Sequence, residues 1–404
     1  MTSRSLLRKL RKSPRLVMQL GVQRLAQRFG IAELDVPLDL RDLADSFALA
    51  QQPAATPRPV SDPPRIGWVV VPAGAGSGGH TTLFRMVRAA QEAGFENTLL
   101  FYNRFQADID HYTEVVRTAW PWLTCEVAPV GDRIDGYDAL VASSWATAHV
   151  VATRGARDAR KLYFVQDYEP FFFPRGENYA FAEDTYRFGF RTISLGEMVH
   201  ATILRELGVL TDLVPYGADT STFHLQRSQR PRSGVVFYAR PGNERRGYRL
   251  AVLAIERFHR KHPDQPIHVY GTSDPVLPFP FVNHGTVAPA VLATLYNSAI
   301  AGISLSFTNV SLVPEELLAC GAIPVVNEHP DARAVLDNEH VQWAQATPGA
   351  LAEALSRAVS RADPDAYAEE VAASVQGRSW EPTERAVVQI LSDELGRESV
   401  APEG

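Results

Sequence analysis

The sequence predicts an α/β protein made of two doubly wound, Rossmann-like halves that face each other across a cleft, preceded by an N-terminal helical extension. Three observations carry this. Short apolar runs alternate with amphipathic stretches along most of the chain, the pattern of parallel strands covered by helices on both faces. The alternation stops at a polar, basic stretch, residues 220–233 (TSTFHLQRSQRPRS), and then restarts. The 404 residues are enough for two separate cores.

In chain order, residues 1–64 read as a basic amphipathic extension followed by a Pro-rich linker, AQQPAATPRPVSDPP. Arg4, Arg8, Lys9, Arg11, Lys12, Arg15, Arg24 and Arg28 precede the first acid, Glu33. The segment Met1–Leu34 has two readings: an interfacial helix on anionic lipid, or a helix packed on its own protein.

The first domain, 65–220, opens with a strand over 66–71, the Gly-rich AGAGSGGH and a helix over 81–93. Further strands fall at 139–142 and 162–165. An aromatic loop, PFFFPRGENYAF, leads to a helix around 184–188. The second domain, 221–376, restarts with a strand at 235–239. It reaches a strand at 302–305, a polar turn at 306–311, and a helix beginning near Pro314, where a missing N–H does no harm. Gly321 ends that helix, a strand follows at 323–326, and 377–404 holds a final helix.

Composition removes several function classes. A net charge of −6 gives no reason to expect nucleic acid as a partner. Cys125 and Cys320 are too few for a structural zinc site and read as reduced, buried thiols. No apolar run approaches the ~18 residues of a spanning helix. Arg8, Lys9, Arg11, Lys12 and Arg15 break any signal-peptide core, so a cytoplasmic protein is expected.

Gly74, Gly76 and Gly79 satisfy the dinucleotide fingerprint in form. The second strand should then close on an acid that holds a ribose, but Tyr102 is followed by Asn103 and Arg104, which argues against a nicotinamide or flavin enzyme. The alternative is a loop whose glycines let a sugar or phosphate approach the backbone. The unit from Ala301 to Glu328 is strand, loop, helix N-terminus and strand, an arrangement that holds phosphate on free N–H groups. Arg240 lies just past a strand end, and Arg245 and Arg246 one loop further on. Together these guanidinium groups suit a diphosphate. Glu316, early in the next helix, can accept from ribose hydroxyls. Taken singly, each has a plainer reading: arginines on a surface turn, and an acid in a first helical turn.

From Ile66 to Leu391 the chain resembles GT-B glycosyltransferases of the family-4 kind. Val214-Pro215-Tyr216-Gly217-Ala218-Asp219 is similar to the segment that closes their N-terminal domain. Arg240 with Arg245 or Arg246 resembles their phosphate-binding pair. Glu316-Leu317-Leu318-Ala319-Cys320-Gly321 and Ser379-Trp380-Glu381 resemble their donor-helix and C-terminal signatures. Gly78-Gly79-His80-Thr81 and YFVQDYEPFFFPRGENYAFAEDTYRFGF look most like WsaF-type bacterial rhamnosyltransferases.

The resemblance implies a retaining transfer from a nucleotide-sugar, dTDP-linked rhamnose being favoured, to a glycan or lipid-linked glycan. It implies no bound metal and no cofactor, a location that is cytoplasmic or peripheral on the inner membrane face, and a final helix that crosses back to the first domain. Arg240, Arg245 and Asp167 are the catalytic residues so implied. Arg246, Thr308, Asn309, Val310, Ser311, Leu312 and Glu316 would bind donor; Gly78, Gly79, His80, Gln166 and Tyr168 would bind acceptor. The chain departs from the pattern at Thr308, where the family usually has a glutamate on the donor sugar, at Gln166, where it often has histidine, and in using arginine for the usual lysine. A deoxyhexose donor is compatible with the first change. A nucleotide-sugar epimerase and an inactive glycan-binding scaffold are the alternatives.

Overall fold

The computed structural model describes residues 38–72, 74, 76–104, 108–226, 231–375 and 377–397, so Met1–Leu34 lies outside the described residues. Among these, strands β1 (Arg65–Val70), β2 (Glu96–Phe101), β3 (Glu126–Pro129), β4 (Ala139–Ala142), β5 (Arg160–Val165), β6 (Arg191–Leu195) and β7 (Asp212–Val214) form one sheet, ordered β3-β2-β1-β4-β5-β6-β7. Strands β8 (Val235–Tyr238), β9 (Ile267–Tyr270), β10 (Val282–Asn283), β11 (Ala301–Ile303), β12 (Ile323–Asn327) and β13 (Gln342–Ala344) form a second, ordered β10-β9-β8-β11-β12-β13. Every pairing within both sheets is parallel. In each sheet the order turns back beside the first strand, between β1 and β4 and between β8 and β11. Such switch points open a crevice at the strands' C-terminal ends.

The strands are apolar because both faces are covered. Ile66, Trp68 and Val70 of β1 pack into one core layer, while Val69 between them packs into the other. The second sheet has its own core around Val235, Phe237, Ile255 and Phe258. Cys125 and Cys320 are buried free thiols in these layers. Among the described residues, no helix is long and apolar enough to cross a membrane.

The last helix, Glu381–Glu394, returns to the first domain. Trp380, Val387, Ile390 and Leu391 belong to the core layer that holds Trp68 and Phe84. Arg88 pairs with Glu384 at 3.3 Å and Arg191 with Glu394 at 3.4 Å. The crossing depends on Gly217: a Cβ there would stand 2.6 Å from the Trp380 ring and 2.8 Å from its Cα. Thr383 also donates to the Pro215 carbonyl at 2.7 Å.

Three readings are corrected. The stretch expected as a Pro-rich linker, residues 50–64, lies bound as a strap on the first domain, with Arg58 paired to Asp158 at 2.7 Å, and the residues just before it are anchored too. Asp42 is buried, takes two hydrogen bonds from Arg154 at 2.6 Å each, and accepts the Tyr102 hydroxyl at 2.8 Å. Ser61 and Arg65 anchor the end of the strap on Asp138. Polar anchors, which low hydrophobicity does not reveal, hold it down. The helix expected at 81–93 runs Gly78–Glu92, because Ser77 caps it by accepting the His80 N–H. The helix expected around 184–188 is Glu177–Asp184, followed by a short 3-10 turn.

Removing Asp42 leaves the mostly buried Arg154 side chain without its hydrogen-bonded carboxylate, and breaking a buried pair of this kind is strongly destabilising. Asp42→Ala should cost about 3 kcal/mol of stability, measured as an earlier urea midpoint. An unchanged midpoint would show this pair to be dispensable.

Candidate functional site between the two sheets

The C-terminal ends of the two sheets meet at Asp167. It follows β5 and projects into the loop that leaves β11. Its Oδ2 accepts the Thr308 hydroxyl at 2.8 Å and pairs with Arg245 Nη1 at 3.2 Å. Its Oδ1 accepts the Asn309 N–H at 3.0 Å. The Asn309 side chain donates to the Gln166 carbonyl at 2.7 Å, and the Gln166 side chain donates to the Gly79 carbonyl at 3.0 Å. Burial raises the Asp167 carboxyl above the usual range, against the pull of Arg245, Arg246 and the two hydrogen bonds.

Three arginines stand on the opposite side, on the loop after β8. Arg240 is exposed, with its guanidinium 5.8 Å from the Tyr238 ring and no carboxylate partner among the described residues. Arg245 lies 4.4 Å over the Phe172 ring, so an aromatic of the first domain covers a cation of the second. Arg246 is more enclosed and donates to Ser306 Oγ at 2.8 Å. The helix Val313–Ala319 begins beside this group. It approaches β11 closely because Gly302 has no side chain, and a Cβ there would stand 2.7 Å from Leu317. Gly321, at φ +77°, ends the helix as its residue type suggests.

Glu316 is partly exposed on that helix, yet protein crowds its carboxyl. Burial pushes it up to about 8, the charge of Asp219 adds to this, and a bond from Tyr296 opposes it. Val310 is buried, and its carbonyl accepts the Tyr216 hydroxyl at 3.4 Å. Ser311 Oγ lies 3.2 Å from Ser304 Oγ. Leu312 comes within 3.8 Å of where a Cβ on Gly78 would sit. The structure thus brings Gly78, Gly79, Gln166, Asp167, Arg245, Arg246 and residues 308–312 together, with Arg240 and Glu316 on the neighbouring loop and helix.

Two residues expected to touch acceptor serve the scaffold. His80 has both ring nitrogens engaged, with Ser77 Oγ at 2.8 Å and the Val71 carbonyl at 3.2 Å. Tyr168 is buried, stacked on Tyr186 at 5.5 Å and edge-on to Phe171 at 4.7 Å. Sequence reasoning also missed two carboxylates. Glu315 is buried against Arg378 and ties the helix Val313–Ala319 to the crossing segment. Glu169 accepts the Trp145 N–H and the Tyr163 hydroxyl, and burial raises it to about 7. The paired acids at 315–316 were a visible hint, but only one position in such a pair could be matched to a role.

Charged hydrogen bonds of the Asp167 kind are worth roughly 1.5–3 kcal/mol each. Asp167→Ala should therefore loosen the contact between the domains. Small-angle scattering should show a larger radius of gyration than wild type, and identical curves would show that closure does not depend on this carboxylate.

Comparison with known proteins follows the same division. Residues 126–197 match the family model of the WsaF N-terminal domain, and residues 233–356 that of the WsaF C-terminal domain. Asp167 falls in the first match; Arg240, Arg245 and Glu316 fall in the second. The O-antigen biosynthesis protein RfbC of Myxococcus xanthus is 32% identical over 238 residues, 55% of this chain and 18% of the relative's length. The chain thus spans under a fifth of that protein. Among solved structures, TarM superposes with a TM-score of 0.62 at 8% identity, covering 82% of this chain and 98% of that one. Anabaena HepE, in complex with UDP and glucose, gives 0.59 at 12% identity, with 82% and 99% covered. WaaG, a glycosyltransferase involved in lipopolysaccharide biosynthesis, gives 0.55 at 11% identity, with 81% and 99% covered. At these identities the structures establish the fold alone. Over residues 126–197 and 233–356 the chain is thus similar to the WsaF N- and C-terminal domains, and its fold is that of the GT-B glycosyltransferases.

Proposed function

We propose that the protein transfers a sugar from a nucleotide-sugar, with dTDP-linked rhamnose as the donor we favour, to a growing cell-surface glycan or glycolipid, with retention of configuration. The observation that carries this reading is the exposed Arg240, without a carboxylate partner among the described residues, beside Arg245, Arg246 and the start of the helix Val313–Ala319. A cluster of cations with one member free of any carboxylate suits an incoming diphosphate.

In this reading Arg240 and Arg245 stabilise the charge that develops on the leaving diphosphate, the largest electrostatic demand of such a transfer. The backbone around Val310–Val313 adds N–H donors. Donor entry would exchange the partner of Arg245 from Asp167 to phosphate, leaving Asp167 to face the acceptor with Gly78, Gly79 and Gln166. Glu316 would accept from the ribose.

The departure at Thr308 has a physical reason that supports a deoxy sugar. Its hydroxyl is 2.8 Å from Asp167, and a glutamate there would set two carboxylates against each other. With Thr308 in place, the loop offers no carboxylate for an additional sugar hydroxyl. In the same proposal Arg240 and its neighbours supply the positive charge at the diphosphate without a bound metal. Met1–Leu34 would hold the enzyme against an anionic membrane surface where lipid-linked acceptors reside.

A thermal-shift series with dTDP-, UDP- and GDP-sugars tests the donor site. Ligand at about 100 times its Kd adds about 2.7 kcal/mol to the folded state. The expected result is a raised Tm with a dTDP-sugar, unaffected by EDTA and abolished in Arg240→Ala and Glu316→Ala. No shift with any nucleotide sugar would overturn the proposal. For the membrane, full-length protein should sediment with anionic vesicles, and a chain lacking Met1–Leu34 should stay in the supernatant.

A further inference from the structure

Asp167 reaches out of the first domain into three donors that all belong to the second: Arg245 Nη1 at 3.2 Å, the Thr308 hydroxyl at 2.8 Å and the Asn309 N–H at 3.0 Å. A guanidinium, a hydroxyl and a backbone N–H converging on two oxygens are the donor set of an oxyanion site. The second domain holds that set in place by its own bonds. Asn327, buried at the end of β12, accepts the Ser306 N–H at 2.8 Å and donates to the Ser306 carbonyl at 2.7 Å. The Ser306 hydroxyl donates to the Asn309 carbonyl at 2.5 Å, and Arg246 donates to Ser306 Oγ at 2.8 Å. The Phe307 N–H donates to the Arg245 carbonyl at 2.9 Å, which fixes the loop after β8 against the loop after β11. These bracing bonds all lie within the second domain. They shape the cradle, and what Asp167 brings to it is the anion.

We propose that Arg245, Thr308 and the Asn309 N–H form a phosphate cradle for the nucleotide diphosphate, and that Asp167 fills it as a built-in competitor. This rests on the reading of the cleft as a nucleotide-sugar site and adds an autoinhibitory contact to it. The carboxylate and a phosphate oxygen ask for the same donors, so they exclude each other. A diphosphate offers more charge and more acceptor oxygens than a carboxylate, and can displace it. The apparent affinity is nonetheless reduced by the fraction of molecules in which the cradle is already filled. The carboxylate of the first domain thus works against nucleotide binding, although it sits at the centre of the site.

Calorimetric titration of the full chain with dTDP, UDP and GDP tests this in wild type, Asp167→Asn, Arg245→Ala and the double variant. Asparagine keeps the shape of the side chain and removes its charge. Asp167→Asn should bind nucleotide about tenfold more tightly than wild type, the equivalent of one charged hydrogen bond. Arg245→Ala should bind more weakly, and in that background Asp167→Asn should gain clearly less, because the contested cation is gone. A residue that only shapes the site would lower affinity when replaced. Equal or weaker binding by Asp167→Asn would therefore overturn the inference while leaving the nucleotide site intact, and so would a full gain that persists without Arg245. If Asp167→Asn does not fold, Asp167→Ala decides by the same criterion. Failure of both wild type and the Asp167 variant to bind any of the three nucleotides would overturn the donor-site reading, and the inference with it.

Discussion

A carboxylate lifted out of water at a strand end is stable only while its donors stay in place. Asp167 is such a group, and its donors belong to the opposite domain: Thr308, the Asn309 N–H and Arg245. The relative placement of the two sheets, the conformation of the loop after β11 and the orientation of Arg245 are therefore one coupled arrangement. The coupling extends into the first domain, because Asn309 also holds Gln166 and Gln166 holds Gly79. The proposed diphosphate, in competing for Arg245, would act on all of these at once.

The second constraint is close approach. Gly217 and Trp380 are 163 positions apart in sequence (380 − 217) and form two sides of one contact. The last helix can cross back only where the chain entering the second domain carries no side chain. Gly302 plays the same part for the helix Val313–Ala319 against Leu317. These two glycines set how near the helix and the crossing segment come, and hence where the first turn of Val313–Ala319 points.

Much of the layout was legible. Apolar runs gave the strands, Pro314 and Gly321 bounded the helix Val313–Ala319, and the polar stretch at 220–233 falls where the chain passes from one sheet to the other. These features are local: period, φ restriction and missing N–H groups act within a few residues. The failures share a different origin. Residues 50–64 read as linker because their anchors are single polar residues, Arg58 and Ser61, whose partners Asp158 and Asp138 lie 100 and 77 positions away. His80 and Tyr168 carry groups suited to sugar binding, but nearby groups, Ser77, Val71 and Tyr186, already engage them. Residue type cannot say whether a polar group is free.

By itself the sequence determined that this chain makes two parallel sheets with helices between their strands, and that arginines and a helix start fall at the C-terminal edge of the second. Periodicity and backbone restriction suffice for that. The tertiary structure alone decided which polar groups are satisfied and which are open. It pairs Arg245 with Asp167 and leaves Arg240 exposed, it encloses the Glu316 carboxyl, and it places Thr308 where a second carboxylate would be repelled. Each of these depends on distances between segments far apart in sequence, and electrostatic and hydrogen-bond energies follow distance in space rather than separation along the chain.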